Sequence, residues 1–140
     1  MRKRELITIR PGELSDRAFV FSTWLKGLRY SNKWFGLIDE YIYFSEYHRI
    51  IEKILSKPST KIHVATLIED PGIILGYSVQ EPDTLHWVFV KPDWRGIGLC
   101  SDLVGNSIKF VTHMTKKGSV FNKKGVTFNP IYWVDNKKEQ

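Results

Sequence analysis

A chain of 140 residues, 42% hydrophobic and 14% aromatic, can pack a single domain over 1–140 and is too apolar for a disordered segment. No apolar run approaches the ~20 residues that span a bilayer, so no membrane span is expected. Cys100 is the only cysteine, which excludes an intrachain disulfide and fits a reducing, cytoplasmic setting, and residues 1–10 alternate charge and aliphatics without a leader-peptide core. The net charge of +6 favours anionic ligands. Its basic clusters, Arg2-Lys3-Arg4, Lys116-Lys117, Lys123-Lys124 and Lys137-Lys138, are dispersed and read as solvated surface, so nucleic acid is permitted rather than indicated.

Taken in chain order, alternation of Leu6, Thr8 and Arg10 with Ile7 and Ile9 predicts a strand over 5–10, ended by Pro11-Gly12. Ser15 is placed to cap a helix with Asp16 in its first turn. Ala18, Phe21, Leu25 and Leu28 give that helix an apolar stripe that Trp24 widens. Residues 30–39 are irregular and aromatic. A second helix is predicted over about 40–57, with Phe44, Tyr47, Ile51 and Ile54 on one face, stopped by Lys57-Pro58. Strands follow over 61–68, 73–80 and 84–90, separated by Asp70-Pro71-Gly72 and Glu81-Pro82-Asp83. A helix over about 99–108, a strand over 110–115, a short helix around Val120-Phe121 and a last strand over 126–134 complete the order. The class is α/β, with a sheet of mixed direction.

The stretch Val90 to Cys100 joins a buried strand to a helix through two glycines. Such a turn aims successive backbone N–H groups at one point, and glycine lets main chain approach a phosphate closely. Arg95 adds a cation able to fork onto phosphate oxygens. A dinucleotide fold is disfavoured because the third glycine is missing and antiparallel-looking strands precede the loop. A Walker loop lacks its Gly-Lys-Ser/Thr ending. An ordinary strand-to-helix turn remains open.

Val90-x-Pro92-x-x-Arg95-Gly96-x-Gly98-x-Cys100 resembles the acetyl-CoA motif of the GCN5-related N-acetyltransferases, whose pattern is Arg/Gln-x-x-Gly-x-Gly/Ala after the fourth strand. Val120 to Val126 is similar to that family's Phe-Tyr-Glu-Lys-Leu-Gly-Phe segment, and the element order agrees over nearly the whole chain. Ser22-Thr23-Trp24-Leu25 is also similar to small phage-encoded members. The resemblance implies a mostly antiparallel central sheet splayed between strands 4 and 5 and flanked by helices. It implies acetyl-CoA (coenzyme A) as cofactor, with its pyrophosphate on the amides of Arg95, Gly96, Ile97, Gly98, Leu99 and Cys100, and Ser101 at the start of the capping helix. The backbone of Val88 and Val90 would bind the acetyl group and pantetheine arm. Two departures stand out: Cys100 replaces the usual Gly or Ala, and Phe121 stands where the family often has a tyrosine acid.

Amine acetylation needs a base for the nucleophile and an acid for the departing thiolate. His86, which period-two counting puts on the face of Val88 and Val90, is the provisional base; a satisfied core histidine beside Trp87 is the plainer role. Glu81 is a candidate through water, or a solvated turn carboxylate. Tyr132 is a candidate acid, or a packing residue between Ile131 and Trp133, and His113 is a similar case. Cys100 reads as packing rather than nucleophile. His48, His63, His86 and His113 have no partners at ligand spacing, so no metal is expected. By the resemblance, Tyr30, Trp34 and Tyr41 border the acceptor pocket, and Trp34-Phe35 would suit a homodimer contact. The predicted activity is N-acetyl transfer to a small-molecule or protein amine. A fold that has lost catalysis, and acyl transfer onto nucleic acid, are the alternatives.

Overall fold

The computed structural model describes residues 2–113 and 125–131. Alternating β-formers supply β1 (Ile7–Pro11), β2 (Lys61–Leu67), β3 (Ile74–Glu81) and β4 (Thr84–Val90), followed by the short β5 (Phe110–Val111) and β6 (Thr127–Phe128). They lie side by side in that order in a six-stranded sheet. The first four pair antiparallel, whereas β4–β5 and β5–β6 are parallel, which gives the mixed, mostly antiparallel sheet expected. Helices α1 (Arg17–Ser31), α2 (Lys33–Gly36) and α3 (Glu40–Ser56) cover one face. Helix α4 (Leu99–Val104) covers the other. Among the described residues no helix is long and apolar enough to cross a membrane.

Period-two alternation, reset by a β2–β3 register shift that passes over Leu75, divides the core. Val64, Tyr77, Val79 and Trp87 point at α1 and α3, while Ala65 and Leu75 meet Leu99 and Leu103 of α4. Trp24 is fully buried and stacks on Trp87 at 5.7 Å between ring centroids. The buried Tyr77 hydroxyl is satisfied by Thr23 Oγ1 at 2.7 Å and by the Val20 carbonyl at 3.1 Å, so Thr23 to Leu25 serves the core.

Several boundaries differ from expectation for local reasons. Residues Lys3–Leu6 wind into a 3₁₀ turn ahead of β1. Ser15 does not cap α1. Instead the buried Asp16 accepts both terminal nitrogens of Arg10, at 2.7 and 3.0 Å, and the Glu13 amide at 2.7 Å, tying β1 to the helix start. Tyr43, rather than Phe44, is the deep aromatic of α3, because its hydroxyl reaches the Leu25 carbonyl at 2.6 Å. Gly105, at φ +79°, ends α4 short of 108. The predicted helix around Val120-Phe121 lies outside the described residues, as do 132–134 of the last predicted strand, of which Thr127–Phe128 pair as β6.

The Arg10 guanidinium, chiefly by hydrogen bonding, holds the Asp16 carboxyl below its ordinary value. A depressed folded-state pKa stabilises the protein above the unfolded value, and that stability is lost as pH falls through the folded one. Asp16→Asn should therefore lower the melting temperature near neutrality and flatten its decline in acid. Melting curves from about pH 7 to about pH 2 check this; an unchanged slope removes Asp16 from the account.

Candidate functional site

Two features of β4 set the geometry. The β3–β4 register shifts at His86: the pairing runs Val79 to Trp87 and then Gln80 to Leu85, so one residue of β4 is extra. Such a bulge re-aims side chains and bends the strand, and it cancels the simple face count that put His86 with Val88 and Val90. On its other side, among the described residues, β4 pairs β5 through Thr84–Phe110 and Leu85–Val111. The Thr112 amide then donates to the Leu85 carbonyl at 3.1 Å, and there the described ladder ends. Val88 and Val90 stand half-buried on this stretch, paired to Ser78 and Gly76 of β3. Gly76 permits that approach, since a Cβ there would lie 2.6 Å from the Phe89 carbonyl oxygen.

The loop that leaves β4 turns on two glycines. Gly96 and Gly98 both take left-handed backbone, at φ +80° and +84°. The first bond of α4 runs from the Asp102 amide to the Gly98 carbonyl at 3.2 Å, so the amides of Leu99, Cys100 and Ser101 precede the helix's own ladder. Leu99 is buried and Ile97 packs beside it, anchoring the loop; Cys100 packs against Leu85, Val104 and Val111. Ser101 is exposed. Arg95 folds back, its Nε donating to the Val90 carbonyl at 2.8 Å, which keeps the guanidinium beside the end of β4.

A second cation at the loop was hidden in the sequence. Arg4 Nη1 donates to the Ile97 carbonyl at 2.6 Å and Nη2 pairs with Asp102 at 2.7 Å. A Cβ built on Gly98 would sit 2.7 Å from that same Nη1. Lys3 donates to the Asp93 carbonyl and lies over the Trp94 ring. Arg2-Lys3-Arg4 is exposed, as read, but Lys3 and Arg4 also reach from the 3₁₀ turn to the loop, Arg4 in a contact across 93 residues that no local pattern signals.

Of the catalytic candidates, His86 and Glu81 are brought together. His86 is 1% exposed, with Nε2 2.8 Å from Glu81 Oε2 and Nδ1 3.0 Å from Thr112 Oγ1. Glu81 is buried rather than solvated, and also takes Ser59 Oγ at 2.6 Å and Lys57 Nζ at 3.3 Å. Burial lowers the His86 pKa against the opposing pull of Glu81. Thr112, His113 and Tyr47 extend this group and carry no sequence motif. Tyr132 and Phe121 lie outside the described residues. Tyr30, Trp34 and Tyr41 are 81%, 60% and 80% exposed around the α1–α3 connection. Tyr41 also edges an open hollow of about 920 Å³ with Phe44 and His48. Phe35, by contrast, is turned into the core against Tyr43 and Tyr47, so only Trp34 of that pair is surface.

Three solved structures share this arrangement. A GCN5-related N-acetyltransferase of Ralstonia eutropha JMP134 superposes with a TM-score of 0.59 at 14% identity, over 84% of this chain and 90% of its own. A predicted acetyltransferase of Clostridium acetobutylicum, solved with acetyl-CoA, gives 0.58 at 16% identity, over 86% and 90%. A ribosomal-protein-alanine N-acetyltransferase of Brucella melitensis biovar Abortus 2308 gives 0.50 at 13% identity, over 86% and 90%. The fold is that of the GCN5-related N-acetyltransferases. No family model matches the sequence, and no curated protein does. The likeness to this acetyltransferase fold is therefore one of architecture: a mixed, mostly antiparallel sheet flanked by helices.

Gly98→Ala should cost about 1–2 kcal/mol, because alanine resists the left-handed region and its Cβ would displace Arg4. Urea denaturation measures it; a neutral change would mean that the loop readily takes another shape.

Proposed function

We propose that this chain is an acyl-CoA-dependent N-acetyltransferase that moves the acetyl group of acetyl-CoA to a primary amine on a small molecule or a protein. The observation that carries this reading is the loop after β4, held open by two left-handed glycines, beside a β4–β5 ladder whose described pairs end at Leu85–Val111. Acetyl-CoA, when bound, supplies an activated acyl thioester. Holding it falls to main chain: the amides from Arg95 to Ser101 for the diphosphate, and the backbone of Val88 and Val90 for the pantetheine arm. Arg95 and Arg4 add cations at the two sides of the loop. Fixed donors of this kind need no rearrangement when charge develops.

Proton handling centres on His86 and Glu81. With both ring nitrogens of His86 engaged and the ring enclosed, it serves the amine at one remove rather than by touching it. Tyr132 keeps the proposed acid role. The acceptor would lie against the exposed rings of Tyr30, Trp34 and Tyr41, which suit a planar or apolar neighbour to the amine. A binding module without turnover would have the same cradle. Catalysis is favoured by the buried carboxylate–imidazole pair, since burying such a pair costs more than an apolar pair of the same shape.

Calorimetric titration should show acetyl-CoA binding to the wild type, with Arg95→Ala about tenfold weaker, as expected for one lost hydrogen bond to a charged group. A thiol-release assay over a panel of amines should then find an acceptor. Absence of acetyl-CoA binding overturns the reading; tight binding with no turnover on any amine selects the module.

A further inference from the structure

The polar group around His86 extends well beyond the Glu81 contact, and its proton positions can be worked out link by link. Glu81 Oε1 receives the Ser59 hydroxyl at 2.6 Å and faces the Lys57 ammonium at 3.3 Å, the surroundings of an ionised carboxylate. Its other oxygen lies 2.8 Å from His86 Nε2, so that nitrogen carries hydrogen. Burial keeps His86 neutral, which leaves a lone pair on Nδ1. The Thr112 hydroxyl, 3.0 Å away, must donate to it. Thr112 Oγ1 is then free to accept from His113 Nδ1 at 2.8 Å. An independent contact agrees: His113 Nδ1 also lies 3.1 Å from the His86 carbonyl oxygen, which can only accept. His113 Nε2 therefore holds a lone pair, and the Tyr47 hydroxyl stands 3.4 Å from it. Every link runs donor to acceptor in one direction, from Tyr47 to Glu81.

Both ends of the path lie on the side covered by α1 and α3: Tyr47 belongs to α3, and Glu81 meets Ser59 and Lys57 just beyond that helix. Thr112 and His113 follow directly on the last described β4–β5 pair, Leu85–Val111. His113 packs edge-on against Trp24 and Trp87, on the same side. The bulge at His86 lets its ring meet Glu81 and Thr112.

We propose that Tyr47, His113, Thr112, His86 and Glu81 form a proton relay that takes the surplus proton of the acceptor's ammonium form from the α3 side of the sheet to the β3–β4 turn; this rests on the acyltransferase reading. The ammonium gives its proton to the Tyr47 oxygen as Tyr47 passes its own to His113 Nε2. His113 Nδ1 gives its proton to Thr112, Thr112 to His86 Nδ1, and His86 Nε2 to Glu81. The acceptor becomes a neutral amine and Glu81 a carboxylic acid. Tyr47, Thr112 and both rings stay neutral with their hydrogen bonds reversed. Glu81 sheds the proton to water beside the partly exposed Lys57. Burial pushes the His113 pKa down to about 3, which suits a group that passes protons and does not store them. Burial likewise raises Tyr47 to about 12, so its hydroxyl stays protonated.

Nitrogen NMR of the ligand-free protein reads the two rings directly. Hydrogen is expected on Nε2 of His86 and on Nδ1 of His113; the same tautomer on both, or a charged His86, overturns the relay. Thr112→Val, which keeps the shape and removes the hydroxyl, should lower kcat for acetyl transfer about a hundredfold with the acetyl-CoA Kd unchanged. Thr112→Ser should restore it. Should the valine variant fail to fold, Tyr47→Phe tests the other end and should lower kcat with the His113 tautomer retained. Acetyl-CoA binding and turnover with kcat unmoved in these variants overturns the relay alone. No acetyl-CoA binding by the wild type overturns the acyltransferase reading, and the relay's use with it.

Discussion

Two parallel pairs, Thr84–Phe110 and Leu85–Val111, hold β4 against β5, and the site depends on where that described ladder ends. Just past those pairs the side chains of His86, Thr112 and His113 satisfy one another and the His86 carbonyl, as buried polar groups must. The glycine loop follows the other end of β4.

The loop is supported from outside as well as shaped from within. Arg4 takes up the Ile97 carbonyl and so occupies the acceptor that turns away from the amides, while its second nitrogen neutralises Asp102. That pair is half-exposed, so its value lies in geometry more than in stability. Leu99 and Ile97 pin the same loop to the α4 core. A cradle held on both sides loses little order when it meets an anion, which is the condition for useful affinity.

Much of the fold was legible because burial imposes a period. Strand-forming residues bounded by turn signals mark Lys61–Leu67 and Ile74–Glu81, and the three- and four-residue spacing of α1 marks a helix with one buried face. Errors came where a polar group overrode the period. Tyr43 displaced Phe44 as the deep ring of α3 because its hydroxyl found a carbonyl, and Asp16 was claimed by Arg10 instead of starting a cap. The bulge at His86 is the consequential case, since one extra residue resets which face each neighbour serves.

The sequence by itself determined the order of the elements, the glycine turn after β4 and the choice of Glu81 and His86 as residues to watch, all of which rest on neighbours in the chain. Only the tertiary structure decided that Glu81 and His86 touch, that Thr112 and His113 complete their network, and that Arg4 meets the loop. The reason is distance along the chain: Thr112 is 26 residues from His86 and Arg4 is 93 from Ile97. Contacts at such separations are set by how two faces of a sheet and a strand edge come together, and no local spacing encodes that meeting.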